Sequence, residues 1–155
     1  MNLHPFEKIS HIYTGNIYKG TQGYVDICAG EKFLEVARDF HNHNVFAKSD
    51  DFPTSIISNN SVHVYYNAEG KVIGAEIFTN LNGNNEFNFI WNSFDLFQST
   101  MKDVANGLKS IGIKTSIEDY GIFVPELGLN YYCNDIQDDL DCKIDCVYVT
   151  LNKNN

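Results

Sequence analysis

The sequence predicts an α+β fold, a single, mostly antiparallel β-sheet of about six strands with two α-helices. Three observations predict it. Val62 to Phe78 alternates in period two on either side of Asn67-Ala68-Glu69-Gly70. Phe97, Met101, Val104, Leu108 and Ile111 form one apolar stripe at helical spacing. The last quarter of the chain returns to short alternating runs of β-branched and aromatic residues. A chain of 155 residues suits one globular domain, 1–155, and can bury roughly 68–70% of its unfolded surface.

The elements follow in order. His11-Ile12-Tyr13 and Tyr24 to Cys28 are β-like runs separated by glycines, and read as an opening hairpin or meander. Phe33, Val36, Ala37 and Phe40 are spaced for a first helix after Gly30, with Glu31 at its positive end. That helix should fail around His41-Asn42-His43-Asn44. Residues 45–61 read as loop, with Ile56-Ile57 as a short strand. The hairpin comes next. Val62, Val64 and Tyr66 fall on one face, His63 and Tyr65 on the other, and Gly70 suits the left-handed position that closes the turn. It reads as scaffold rather than site, with His63 and Glu76 half-exposed.

Asn80 to Asn85 reads as a turn and Phe87 to Trp91 as a strand. The second helix carries the stripe from Phe97 to Ile111. Asp95 and Gln98 resemble its capping box, and Gly112 is placed to end it. Ile113 to Ile117, Ile122 to Val124, Leu129 to Cys133 and Cys146 to Leu151 are the closing strands. Pro125 belongs at a strand end, and the acid-rich residues 134–145 form a loop between the last two strands.

The charge is uneven. The net charge is −9, and Arg38 is the one arginine. Glu118, Asp119, Glu126, Asp135, Asp138, Asp139, Asp141 and Asp145 are offset in their stretch only by Lys143. Such a field repels nucleic acid and anionic membrane, which need Lys and Arg. It attracts a basic protein. The N-terminus has no basic segment followed by an apolar one, and no run is long enough to span a membrane. The expectation is a cytoplasmic protein whose four cysteines (Cys28, Cys133, Cys142 and Cys146) are reduced.

Motifs for catalysis are weak. His41-Asn42-His43 spells the letters of the His-Asn-His nucleases, whose three residues are far apart in sequence, so a solvated helix end is the better reading. Cys142-x₃-Cys146 lacks a second knuckle, which disfavours zinc. Asp135 to Asp141 lacks the ligand order, the glycine and the closing glutamate of an EF-hand. No nucleophile elbow, phosphate loop or dinucleotide fingerprint is present. No metal and no cofactor is expected. His63, Tyr65, Tyr131 and Tyr132 put polar aromatics on strands, as half-buried sheet positions or as a contact surface.

With the hairpin, the helix ending at Gly112 and the segment Gly121-Ile122-Phe123-Val124-Pro125-Glu126-Leu127-Gly128-Leu129-Asn130-Tyr131-Tyr132, the chain resembles the small acidic immunity proteins of bacterial contact-dependent growth-inhibition systems. The resemblance is one of pattern and carries no functional position across. It implies a non-catalytic protein that binds a cognate basic toxin domain, often a nuclease, and blocks its active site or an adjacent exosite. It also implies that a toxin β-hairpin can add to the sheet. The residues expected to face the toxin are Glu118, Asp119, Glu126, Tyr131, Asp135, Asp138, Asp139, Asp141 and Asp145. The alternative is a small hydrolase using carboxylates of this acidic quarter.

Overall fold

The computed structural model of the protein describes residues 1–14, 23–48, 51–78, 90–91, 94–95, 98–118, 120–134 and 140–153. Among these the chain forms strands β1 (Asn2–His4), β2 (Lys8–Tyr13) and β3 (Tyr24–Cys28), then helix α1 (Phe33–Asp39). Strands β4 (Asn44–Phe46), β5 (Thr54–Ile57), β6 (Val62–Tyr66) and β7 (Val72–Phe78) follow. The short pieces β8 (Ile90–Trp91) and β9 (Phe94–Asp95) precede helix α2 (Met101–Ser110). The chain closes with β10 (Ser116–Glu118), β11 (Gly121–Val124), a 3₁₀ turn at Pro125–Leu127, β12 (Leu129–Tyr132) and β13 (Cys146–Thr150).

The expected single sheet of about six strands is not what forms. The fold is mostly β, in two sheets. Eight strands run in the order β10-β11-β12-β13-β7-β6-β5-β4, all antiparallel. The other sheet runs β3-β2-β1-β8-β9. Its last two members are two-residue pieces, and β1 pairs in parallel with β8. The miss has a physical cause. β1 and β4 have three residues each, and all of β4 is exposed. A strand that buries no face leaves no alternation to read. Alternation also says which face is buried, not which strands are neighbours, so one sheet and two look alike.

One buried cluster joins both sheets and both helices. It includes Leu3, Ile9, Ile12 and Ile27 from the small sheet, Val36 from α1, and Met101, Val104 and Leu108 from α2. The inner face of the large sheet contributes Val64, Ile77, Ile122, Leu129, Tyr131, Val147 and Val149. Backbone bonds tie the layers at one end: Phe6 N–H donates to Thr150 O (2.8 Å), Gly30 N–H to Val72 O (2.9 Å) and Phe33 N–H to Gly70 O (2.9 Å).

The central hairpin forms as the alternation predicts. Val62, Val64 and Tyr66 are buried, and His63 and Tyr65 are half-buried. Asn67 Oδ1 accepts from the backbone N–H of Glu69 and Lys71, and Gly70 takes φ +71°. A register shift at Tyr65/Tyr66 brings Val72 onto the core face. Helix α2 starts later than the Asp95–Gln98 expectation. Thr100 is its N-cap, in a reciprocal box with Asp103, and Gly112 follows its end at φ +79°. Thr100 suits the position because its hydroxyl accepts the Asp103 N–H while Asp103 accepts the Thr100 N–H. Ile111, counted in the apolar stripe, is 54% exposed. The Asn80–Asn85 turn, most of the Phe87–Trp91 strand and Phe97 lie outside the described residues. Among the described residues no helix is long and apolar enough to cross a membrane.

Candidate functional site

The face of the large sheet turned away from the core carries the candidate site. Register aligns Ile56, His63, Glu76, Tyr148, Asn130 and Phe123 in one row across β5, β6, β7, β13, β12 and β11. The next row holds Phe78, Cys146, Tyr132 and Gly121. Period two explains the composition: these are the alternate residues to the core set, and eight of the ten are half-buried, five of them with rings (His63, Phe78, Phe123, Tyr132 and Tyr148).

A charged cluster sits where β6 meets β7. Glu76 Oε2 accepts from Lys48 Nζ at 2.9 Å and from the Tyr65 hydroxyl at 2.5 Å. Lys48 Nζ also lies 3.0 Å from His63 Nδ1 and 3.2 Å from the Tyr65 oxygen. It stands 5.4 Å from the Phe78 ring centroid and 5.8 Å from that of Tyr65. His63 Nδ1 is 3.7 Å from Glu76 Oε2, too long for a hydrogen bond. Burial pushes the Glu76 carboxyl up. The contacts from His63, Tyr65 and Lys48, together with the Lys48 charge, outweigh burial and hold it at about 2. Burial and the Glu76 charge push the neighbouring Cys146 thiol up to about 12. Burial likewise raises the hydroxyls of Tyr65, Tyr132 and Tyr148. Near neutrality Glu76 is an anion and Cys146 a thiol, so the pair offers neither a proton donor acid nor a thiolate nucleophile.

Because the Glu76 carboxyl is depressed on folding, its contribution to stability is present above its ordinary value of 4.5 and is lost as pH falls through about 2. Discounted for partial exposure, about 1–2 kcal/mol should disappear across that window. Urea unfolding of wild type and Glu76→Gln at pH 7 and near pH 2 checks this. The gap between the two proteins is expected to close at the lower pH.

The acidic quarter divides between the two ends of the sheet. The β10–β11 turn after Glu118 and the β12–β13 connection with Asp145 lie at the end where β7 finishes at Phe78. Glu126 lies at the opposite end, in the β11–β12 connection, about 13 Å away along the four residues of β12. Glu118 and Glu126 are exposed. Asp141 pairs with Lys102 on α2 at 3.1 Å. Asp145 Oδ2 accepts the Asn134 N–H at 2.9 Å and so closes the loop it ends. Asp119, Asp135, Asp138 and Asp139 lie outside the described residues.

Tyr131 is not on the surface. It is fully buried, on the core face, and its hydroxyl has no hydrogen-bond partner. The sequence offered two adjacent tyrosines, and strand register assigns Tyr132 to the outer face and Tyr131 to the core. Tyr131→Phe is therefore expected to leave stability unchanged or to raise it by up to about 1 kcal/mol, because it deletes an unsatisfied buried group. Thermal unfolding measures it.

The acidic end also carries exposed apolar surface. Tyr120 is 56% exposed and Ile117 54%. The Tyr120 ring stacks on Tyr132 (centroids 6.2 Å apart, 13° between planes) and meets Phe123 edge-on. Glu76, Phe78, Tyr132, Cys133, Asn134, Asp145 and Cys146 line a cavity of about 350 Å³ there. A second, of about 660 Å³, lies at the Glu126 end between Phe6, Asn130 and Lys153. Among the described residues each cavity is lined by one carboxylate of the last quarter, Asp145 in the first and Glu126 in the second. Among the described residues no group of three His, Cys, Asp or Glu side chains is arranged to hold a metal ion.

His43 differs from the solvated helix end expected of it. Its Nε2 lies 2.8 Å from Ser55 Oγ, its ring packs edge-on against Phe33, and burial lowers its basicity. Lys48, Glu76 and Tyr148 were missed as a group. The hairpin alternation does put His63, Tyr65, Glu76 and Phe78 on one face, which was the available signal. Lys48 and Tyr148 join them only through long-range pairing. No protein family, curated protein or solved structure matches the chain.

Proposed function

We propose that the protein is an immunity protein that binds and neutralises a cognate basic bacterial toxin domain, with a nuclease as the class its charge suits best. It acts by stoichiometric occlusion of the toxin's active site or an adjacent exosite, without catalysis of its own. The observation that carries this is the juxtaposition at one end of the outer sheet face. Exposed Tyr120 and half-buried Tyr132 and Phe78 sit beside Glu118 and both ends of the acid-rich 134–145 loop. Aromatic anchors within a charged rim are the composition of a protein-docking surface. The acids steer a basic partner to it, and the aromatics hold it.

The hydrolase alternative has less behind it. Asp141 and Asp145 are engaged in structural contacts, and Glu118 and Glu126 stand at opposite ends of the sheet. No pair of them converges on one described cavity.

The test is to express the C-terminal domain encoded immediately upstream of this chain, alone and together with it. That domain is expected to be basic and to stop growth when expressed alone. Co-expression should restore growth, and the two should co-purify in equal amounts. An upstream domain that is harmless, or whose toxicity this chain does not relieve, would sink the proposal.

A further inference from the structure

We infer that Lys48 is a pH-sensitive latch: protonation of His63 expels the Lys48 ammonium from the outer sheet face and unpins the end of edge strand β4. The inference stands apart from the proposed function and needs no partner.

Lys48 follows β4, the last strand of the large sheet, whose three residues are all exposed. A strand that buries no face is held by its backbone ladder and by side chains that reach inward. Lys48 is such a side chain. It reaches past β5 to β6 and β7, where Nζ lies 2.9 Å from Glu76 Oε2, 3.0 Å from His63 Nδ1 and 3.2 Å from the Tyr65 oxygen. An ammonium has three N–H donors and no lone pair, so these acceptors match its full capacity. The Tyr65 hydroxyl gives its own proton to Glu76, which leaves its oxygen free to accept.

The His63 contact requires one protonation state. Nδ1 can only accept from Lys48, so it carries no proton, and the neutral ring holds its proton on Nε2. A second proton would remove that acceptor and set two cations 3.0 Å apart. Glu76 Oε2, 3.7 Å from the same nitrogen, is the anion within reach of the new N–H. Its charge persists down to about 2, so Glu76 can exchange Lys48 for His63 and stay paired. The lysine is the partner that yields. His63 is fixed on a central strand, with its ring against Phe78 (centroids 4.5 Å apart), whereas Lys48 is a flexible four-carbon stem at the sheet edge.

Among the described residues Lys48 and Glu76 are the charged groups at His63. Tyr65 on its own strand and Cys146 and Tyr148 on β13 are kept neutral by burial, and its partner on β5 is Ile56. His43 approaches the same edge from the core face, at Ser55, so the test must separate the two imidazoles.

The experiment is an NMR pH titration of the full-length, ¹⁵N-labelled chain from about pH 8 to about pH 5, the range in which imidazoles change charge. At the upper end, long-range ring correlations should show His63 as the Nε2–H tautomer, and Lys48 should give a slowly exchanging ammonium signal. As His63 takes up its second proton, that signal should be lost, and the heteronuclear NOE of Val45 to Lys48 should fall in step. His63→Asn sets an amide oxygen where Nδ1 lies and cannot titrate, so the Lys48 signal should persist across the range. Lys48→Met should show the low NOE at both ends of it. An Nδ1–H tautomer, a His63 ring that stays neutral throughout, or a Lys48 signal that survives His63 protonation would overturn the latch. So would acid loosening of residues 45–48 that persists in His63→Asn, which would give the role to His43.

Discussion

Gly74→Ala is expected to destabilise the protein by about 2–3 kcal/mol. Gly74 lies on β7 opposite Tyr65 and Thr150, under the ring of Tyr148. A Cβ there would come within 2.7 Å of Tyr148 Cζ and 2.8 Å of the Val149 carbonyl oxygen. The ring can move, but the carbonyl belongs to the central β7–β13 ladder and cannot yield cheaply. The expected readout is a lower urea midpoint with an unchanged slope. Gly30 is the control, with φ +74° and open space around its would-be Cβ. Gly30→Ala carries only the backbone penalty, about 1 kcal/mol. Equal costs at the two positions would mean that Tyr148 does not lie across Gly74, and the geometry of the outer face would be wrong.

Charge reversal among the acids of the last quarter should have the largest effect on association. Glu118→Lys with Asp138→Lys and Asp139→Lys is expected to slow binding of the upstream-encoded toxin domain by tenfold or more at low salt, on the order seen for steered encounters. The dependence of the on-rate on salt should flatten at the same time. Asp141 is left unchanged because it holds Lys102 on α2. Glu126→Lys, at the far end of the sheet, should have a much smaller effect. Stopped-flow mixing over a salt series separates these outcomes. An on-rate unaffected by the triple change, or reduced equally by Glu126→Lys, would move the contact elsewhere.

The hairpin, strands β11, β12 and β13 and both helices were legible because each buries one face against the core. Val62, Val64 and Tyr66, or Met101, Val104 and Leu108, carry the period of their own element. What was not legible had no such face. β4 is wholly exposed, and β1 is a three-residue strand with one buried residue. The division into two sheets was hidden for a related reason, since pairing partners are set by tertiary packing and not by alternation. The site was half legible. Composition found the acids, but the chain order could not say that Glu118, Asn134 and Asp145 share one end of the sheet while Glu126 takes the other. It also could not say that Tyr132 faces outward and Tyr131 inward, because adjacent strand residues differ only in register. The Lys48–Glu76 pair spans 28 residues and three strands, so no local motif announces it.

The central claim is that the acidic, aromatic end of the outer sheet face binds a toxin. Isothermal titration of the upstream-encoded domain into wild type, Tyr120→Ala/Glu118→Lys and Glu69→Lys tests it most directly. Glu69 is an exposed hairpin-turn acid whose partner is Lys71. Wild type and Glu69→Lys are expected to bind one-to-one with matching affinity. The double variant should bind at least about a hundredfold more weakly, the loss expected when an aromatic anchor and its adjoining charge are removed together. Wild-type affinity in the double variant, or no binding by any of the three, would contradict the account.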